Sequence, residues 1–146
     1  MKIYVINGPN LNMLGIREPD KYGKQSYDEL IHLIEDHCKM AGIEVECYQS
    51  NHEGDLVDKI QEAYFKKVDG IVINPGAYTH TSIALLDALK GVGLPAIEVH
   101  ISDPDTREEF RCVSYVRAAC TATVKGHGTK GYLEAIDLLV DRLGEA

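Results

Sequence analysis

The stretch GIVINPGAYTHTSIALLDALKG, residues 70–91, passes from an uninterrupted apolar run through a short polar loop into a helical spacing. GIVIN (70–74) is apolar until its last residue, and a run of that length that does not alternate reads as a strand buried on both faces, the condition of a parallel sheet. TSIALLDALKG (81–91) reads as the helix that covers it.

The same unit recurs on both sides. KIYVIN (2–7), IEVECYQ (43–49), PAIEVH (95–100) and, more weakly, CTATV (120–124) repeat the strand pattern. SYDELIHLIEDHCKMAG (26–42) opens with Ser26 and Glu29 at capping-box spacing, repeats apolar residues at Leu30, Ile31, Leu33 and Ile34, and ends at Gly42. Leu56, Val57, Ile60 and Tyr64 give another helix its apolar face, GYLEAIDLLVDRLG (131–144) supplies the last, and a helical turn is expected around REEF (107–110). Strands alternating with helices predict an α/β, flavodoxin-like three-layer sandwich with a five-stranded parallel sheet in the order 2-1-3-4-5. Ligands of such sheets bind beyond the carboxyl ends of the strands, near the switch between strands one and three.

A chain of 146 residues with 45% hydrophobic content is expected to form a single domain, 1–146. Its 15 Lys and Arg against 23 Asp and Glu give a net charge of −8 without any basic run, which argues against nucleic acid as a partner. No apolar stretch approaches the roughly 20 residues that span a bilayer, and the chain enters a strand directly at its N-terminus. A membrane is not expected, and the cytoplasm is the expected location. Cys38, Cys47, Cys112 and Cys120 form no C-x-x-C pair and are expected to be reduced and mostly buried.

At the carboxyl edge the topology gathers NGPNLN (7–12), NPGAYTHTS (74–82) and HISDPDTREEFR (100–111). These bring together Asn7, Asn10, Asn12, Asn74, His80, His100, Ser102, Arg107 and Arg111. Any one Asn is explained by a turn, but the grouping points to a site. His100 ends a buried strand, and Glu98, two residues earlier on the same face, is placed to hold its ring in one tautomer, as a general acid requires. Arg107 and Arg111, four apart, join His80 and His100 in a positive pocket suited to a small anionic substrate. GIREPDKYG (15–23) is longer than a βα turn needs and carries Arg17 and Tyr22, a length that usually marks function or disorder.

Other chemistries fare worse. GHGTKG (126–131) matches the dinucleotide fingerprint but belongs to the last unit, with no later strand for the ribose-binding acid, so its glycines read as turn and packing residues. His52 and His127 follow the two outer strands, roughly 19 Å apart at about 4.8 Å per strand, and His80 with His100 falls short of the three ligands of a catalytic zinc. The lysines lie on polar helix faces or beside the long loop, so no Schiff-base lysine stands out. A non-catalytic nucleotide- or flavin-binding module of the same fold is the alternative from another class.

INGPNLNMLGIREPDKYG, INPGAYTHTS, IEVHISDPDTREEFR and GHGTKGYLEAI together resemble the type II 3-dehydroquinate dehydratases, in the same order and over most of the chain. The resemblance implies dehydration of 3-dehydroquinate to 3-dehydroshikimate through an enolate, without metal, cofactor or covalent intermediate. It makes Tyr22 the base at C2 of the substrate, Arg17 its activator, Asn10 a holder of the water that stabilises the enolate, and His100 the acid for the departing hydroxyl. Asn74, His80, Arg111 and the Ile101–Ser102 backbone would bind the carboxylate and ring hydroxyls. Asp87 would reach a neighbouring subunit's site, in a homo-oligomer implied to be a dodecamer of four trimers.

Overall fold

The computed structural model describes every residue except Arg17, Pro19, Lys21, Tyr22, Gly23 and Ala146. Arg17 and Tyr22, the two residues that singled out the long loop, therefore lie outside the described residues.

Five strands, β1 (Lys2–Asn7), β2 (Glu44–Gln49), β3 (Gly70–Asn74), β4 (Ala96–His100) and β5 (Ala122–Lys125), form one parallel sheet in the order β2-β1-β3-β4-β5. Among the described residues the α-helices that pack on the sheet are α1 (Tyr27–Met40), α2 (Glu53–Phe65), α3 (Ile83–Val92) and α4 (Lys130–Gly144). This is the expected flavodoxin-like architecture and strand order.

Alternation along β1 sorts the core into two layers. Ile3 and Val5 pack with Leu30, Ile34 and Cys38 of α1 and with Tyr132, Ala135, Ile136 and Leu139 of α4. Tyr4 and Ile6 face the other way, against Leu56, Ile60 and Ala63 of α2 and Leu85 and Leu89 of α3. Each layer is an apolar stripe closing over one side of the sheet, and hydrophobic burial there sets the frame for the site.

Ser26 and Ser82 cap α1 and α3, their hydroxyl oxygens accepting from the Glu29 and Leu85 amides at 3.1 and 3.0 Å. Tyr64 departs from its expected place on the buried face of α2. The helix buries Leu56, Ile60 and Ala63, and Tyr64 falls one residue past that stripe, 55% exposed. β5 begins at Ala122 rather than Cys120, because the Cys120 amide is spent closing a 3-10 turn, Val116–Ala119, on the Arg117 carbonyl. The turn expected around REEF is a 3-10 turn displaced to Glu109–Cys112. Of the cysteines, Cys38 is buried, Cys47 and Cys120 are half-buried and Cys112 is exposed.

At the switch point the loops after β1 and β3 touch. A β-carbon on Gly8 would sit 2.4 Å from the Pro75 carbonyl oxygen, so only glycine permits this approach. No described helix is long and apolar enough to cross a membrane.

Candidate active site

A cleft opens beyond the carboxyl ends of β1, β3 and β4. Asn10, Asn74, His80, His100, Ile101, Ser102, Arg107 and Arg111 all line it, as the topology leads one to expect. Asn7 and Asn12 are not on its wall, and Asp87 lies elsewhere, in a groove between α2 and α3 beside Gln61, Tyr64 and Phe65.

His100 is 7% exposed at the end of β4, and Glu98, fully buried, lies on the same face of that strand. Glu98 Oε2 stands 2.5 Å from His100 Nε2. Burial alone raises the Glu98 carboxyl, but hydrogen bonds from His100 and Arg117, together with their charges, outweigh it and hold it down at about 2. An ionised carboxylate only accepts, so His100 Nε2 carries the hydrogen and the ring is fixed in place with Nδ1 as its second nitrogen. The same carboxylate accepts from Ser114 Oγ at 2.9 Å, Thr79 Oγ1 at 3.3 Å, Thr123 Oγ1 at 3.2 Å, and Arg117 Nε and Nη2 at 3.0 and 3.3 Å.

His80 is oriented by backbone instead. Its Nδ1 lies 2.6 Å from the Val113 carbonyl oxygen, which can only accept, so Nδ1 donates and Nε2 is the nitrogen left over. Arg111 donates from Nε to Glu108 at 2.6 Å, and its guanidinium lies 5.2 Å from the centre of the Phe110 ring. Glu108 also approaches Arg107 Nε, at 3.9 Å, so one exposed carboxylate balances both arginines without neutralising the wall.

Asn10 takes a left-handed conformation, φ 70°, which Asn tolerates better than most residues. Its amide donates to Asn51 Oδ1 at 3.0 Å, and Gln49 Nε2 ties Asn51 Oδ1 to the Gly8 carbonyl, at 3.1 Å to each. Asn74 accepts from the Gly76 amide at 3.1 Å and donates to Tyr132 at 2.8 Å, leaving its second amide hydrogen for a ligand. In GHGTKG, Gly126 and Gly128 adopt φ 79° and 64°, the turn role read from sequence.

The comparisons with known proteins agree with this geometry. A family model described as dehydroquinase class II matches residues 1–140. The chain is 52% identical over 143 residues to a 3-dehydroquinate dehydratase of Clostridium perfringens, covering 98% of this chain and 99% of the relative. It is 56% identical over 142 residues to one from Lachnospira eligens, covering 97% of each. Among solved structures, a type II dehydroquinase from Butyrivibrio crossotus superposes with a TM-score of 0.95 at 59% identity, over 96% of this chain and 97% of that one. The chain belongs to the class II dehydroquinase family.

Asn10, Asn74, His80, His100, Arg107 and Arg111 meet in one cleft as read from sequence, but apart from Glu98 the groups that orient them were not foreseen. Thr123 had a readable signal: it is the register partner of Glu98 across β4 and β5. Arg117, Ser114 and Thr79 had none, since each reaches Glu98 from a short 3-10 turn or a loop whose course no periodicity predicts.

Proposed function

We propose that residues 1–146, working as a single catalytic domain, dehydrate 3-dehydroquinate to 3-dehydroshikimate through an enolate, a step of the shikimate route to aromatic amino acids. The observation that carries this reading is the buried Glu98–His100 pair at the foot of a cleft walled by Arg107 and Arg111, in a chain of the class II dehydroquinase family.

Elimination of water from a β-hydroxy ketone makes three demands: a base for the proton beside the carbonyl, stabilisation of the enolate oxygen, and an acid for the departing hydroxyl. His100 suits the third. With Nε2–H committed to Glu98, Nδ1 carries the transferable proton, and the buried carboxylate offsets the charge of the doubly protonated ring. Tyr22 with Arg17 takes the C2 proton, and Asn10 helps hold the water that stabilises the enolate. Asn74, His80, Arg111 and the backbone of Ile101 and Ser102 bind the substrate's carboxylate and ring hydroxyls, with Arg107 adding to the positive wall. None of these steps calls on a metal or a cofactor.

Asp87, outside the cleft of its own chain, completes the site of a neighbouring subunit in a homo-oligomer, a dodecamer of four trimers, acting in the cytoplasm. Its position beside the exposed Tyr64 and Phe65, in a groove between helices, supports an interface role. The deciding experiment is incubation of the purified chain with 3-dehydroquinate. Ultraviolet absorbance of the conjugated enone is expected to appear, and its absence at high enzyme concentration overturns the reading.

A further inference from the structure

We infer that Arg117 is a positioning residue for this reaction, acting on His100 through Glu98; the inference rests on His100 being the acid. Arg117 belongs to the 3-10 turn Val116–Ala119, and Val116, fully buried, anchors that turn in the core layer that also holds Ala96 of β4. From there the guanidinium makes a two-point approach to Glu98, Nε to Oε1 at 3.0 Å and Nη2 to Oε2 at 3.3 Å. Such a fork puts one charge-assisted bond on each oxygen and, with the weaker hydroxyl bonds from Thr79, Ser114 and Thr123, holds the plane of the carboxylate against rotation about its last, softly restrained torsion. Because Oε2 is also the atom that His100 Nε2 meets, fixing the carboxylate plane fixes the ring that faces the cleft.

The charges around Glu98 give Arg117 a second effect. His100 faces it from β4, Arg117 from the turn, and the neutral hydroxyls of Thr79, Ser114 and Thr123 from the loop after β3, the segment before the turn and β5. The Cys120 thiol, pushed up to about 12 by burial and then by Glu98, stays neutral. Beyond Arg117 lie Asp103 and Asp105, both paired with Lys125. Among the described residues Arg117 thus brings the permanent positive charge in contact with Glu98, whereas that of His100 comes and goes with its proton. The carboxylate stays compensated after the ring has given its proton up. Without Arg117 the buried carboxylate is compensated only by a charged ring, so it holds that ring's proton more tightly and the acid is weaker.

The test compares wild type, Arg117→Ala and Arg117→Lys for kcat, KM and product affinity across pH, with 3-dehydroquinate as substrate. Arg117→Ala is expected to lower kcat about 10–100-fold, by analogy with lost outer-shell partners, while KM moves less than about threefold. The limb of the kcat profile that follows loss of the His100 proton is expected to move up by about half a pH unit or more. Arg117→Lys, with its charge but no fork, should recover the position of that limb and only part of the rate. A merely structural arginine would shift thermal melting and leave the profile where it was.

An active wild type together with a folded Arg117→Ala of unchanged kcat, an unmoved limb, or a loss carried by KM alone overturns the inference. If Arg117→Ala fails to fold, Arg117→Lys decides, because wild-type kcat there removes the need for a fork. An inactive wild type refutes the proposed function itself, which keeps the two failures distinct.

Discussion

The phenol of Tyr132, in the first turn of α4, donates to Asn7 Oδ1 at 2.6 Å, joining residues 125 positions apart. Its oxygen accepts in turn from Asn74 Nδ2 at 2.8 Å, and Asn7 and Asn74 are register partners at the ends of β1 and β3. One buried hydroxyl therefore ties together the two strand ends at which the sheet reverses its order. The cleft is supported from both sides of the sheet: Tyr132 holds Asn74 from the layer of α1 and α4, and Glu98 holds His100 from the layer of α2 and α3.

Removing that hydroxyl strands two buried amide groups. Tyr132→Phe is expected to cost about 1–3 kcal/mol of stability, the usual penalty for buried polar groups left without partners. Product affinity should also fall, because Asn74 loses the bond that orients its amide. Urea unfolding and product titration check both, and an unchanged midpoint would mean that water replaces the phenol.

Tyr132 also shows where sequence reading reaches its limit. The pattern of α4 marks it as a residue between turn and helix, but its partners lie in two strands, one at the other end of the chain and one midway along it. Glu98 was legible because strand periodicity puts i and i+2 on one face, which needs no knowledge of the fold. His80 was legible as a candidate from the loop it occupies, yet its orientation by the Val113 carbonyl depends on a backbone path set by tertiary packing. Tyr64 misled because an apolar residue near a stripe looks the same in sequence whether it faces the core or the surface.

Glu98 links the site to acid stability. Its folded-state value of about 2 lies below its ordinary 4.5, so the charged form is favoured by folding. That contribution is present in full above pH 4.5 and is lost as pH falls through the window from 4.5 to 2. A shift of this size corresponds to about 3 kcal/mol at 1.36 per unit. Glu98→Gln is expected to unfold with a flatter dependence on pH across that window, measured by denaturant titration from pH 6 to pH 3. A variant as acid-sensitive as wild type would place the responsible carboxylate elsewhere.

His100→Ala tests the acid directly. Loss of a general acid typically costs roughly 10²–10⁴-fold in rate. The fall is expected in kcat, with product binding nearly unchanged, because the cleft's other walls remain. A variant that binds poorly but turns over normally at saturation would make His100 a binding residue alone.

Composite sites leave a signature in mixtures. If Asp87 of one subunit serves the cleft of another, Asp87→Ala and His100→Ala are each impaired, but co-assembled after joint dissociation and refolding they should regain activity that neither shows alone. Sedimentation must show an oligomer in the active preparation. A fully active monomer, or mixtures no better than their parts, would confine Asp87 to a role within its own chain.

The last prediction concerns GIREPDKYG, residues 15–23. A phenol with an ordinary pKa near 10 is about three units short of a ready base at neutral pH, or roughly 4 kcal/mol. One positive charge at about 4 Å, with an effective dielectric of about 20, contributes on the order of 4 kcal/mol, so a single arginine is enough if water is kept from screening it. Tyr22→Phe is therefore expected to abolish nearly all turnover while product still binds. Arg17→Ala should lower turnover and move the rising, acid-side limb of the rate profile toward alkaline pH, because the phenol then ionises later. Steady-state kinetics over pH 6–10 with product titration separate the two effects. Normal turnover in Tyr22→Phe would put the base elsewhere and leave the segment with no more than a covering role.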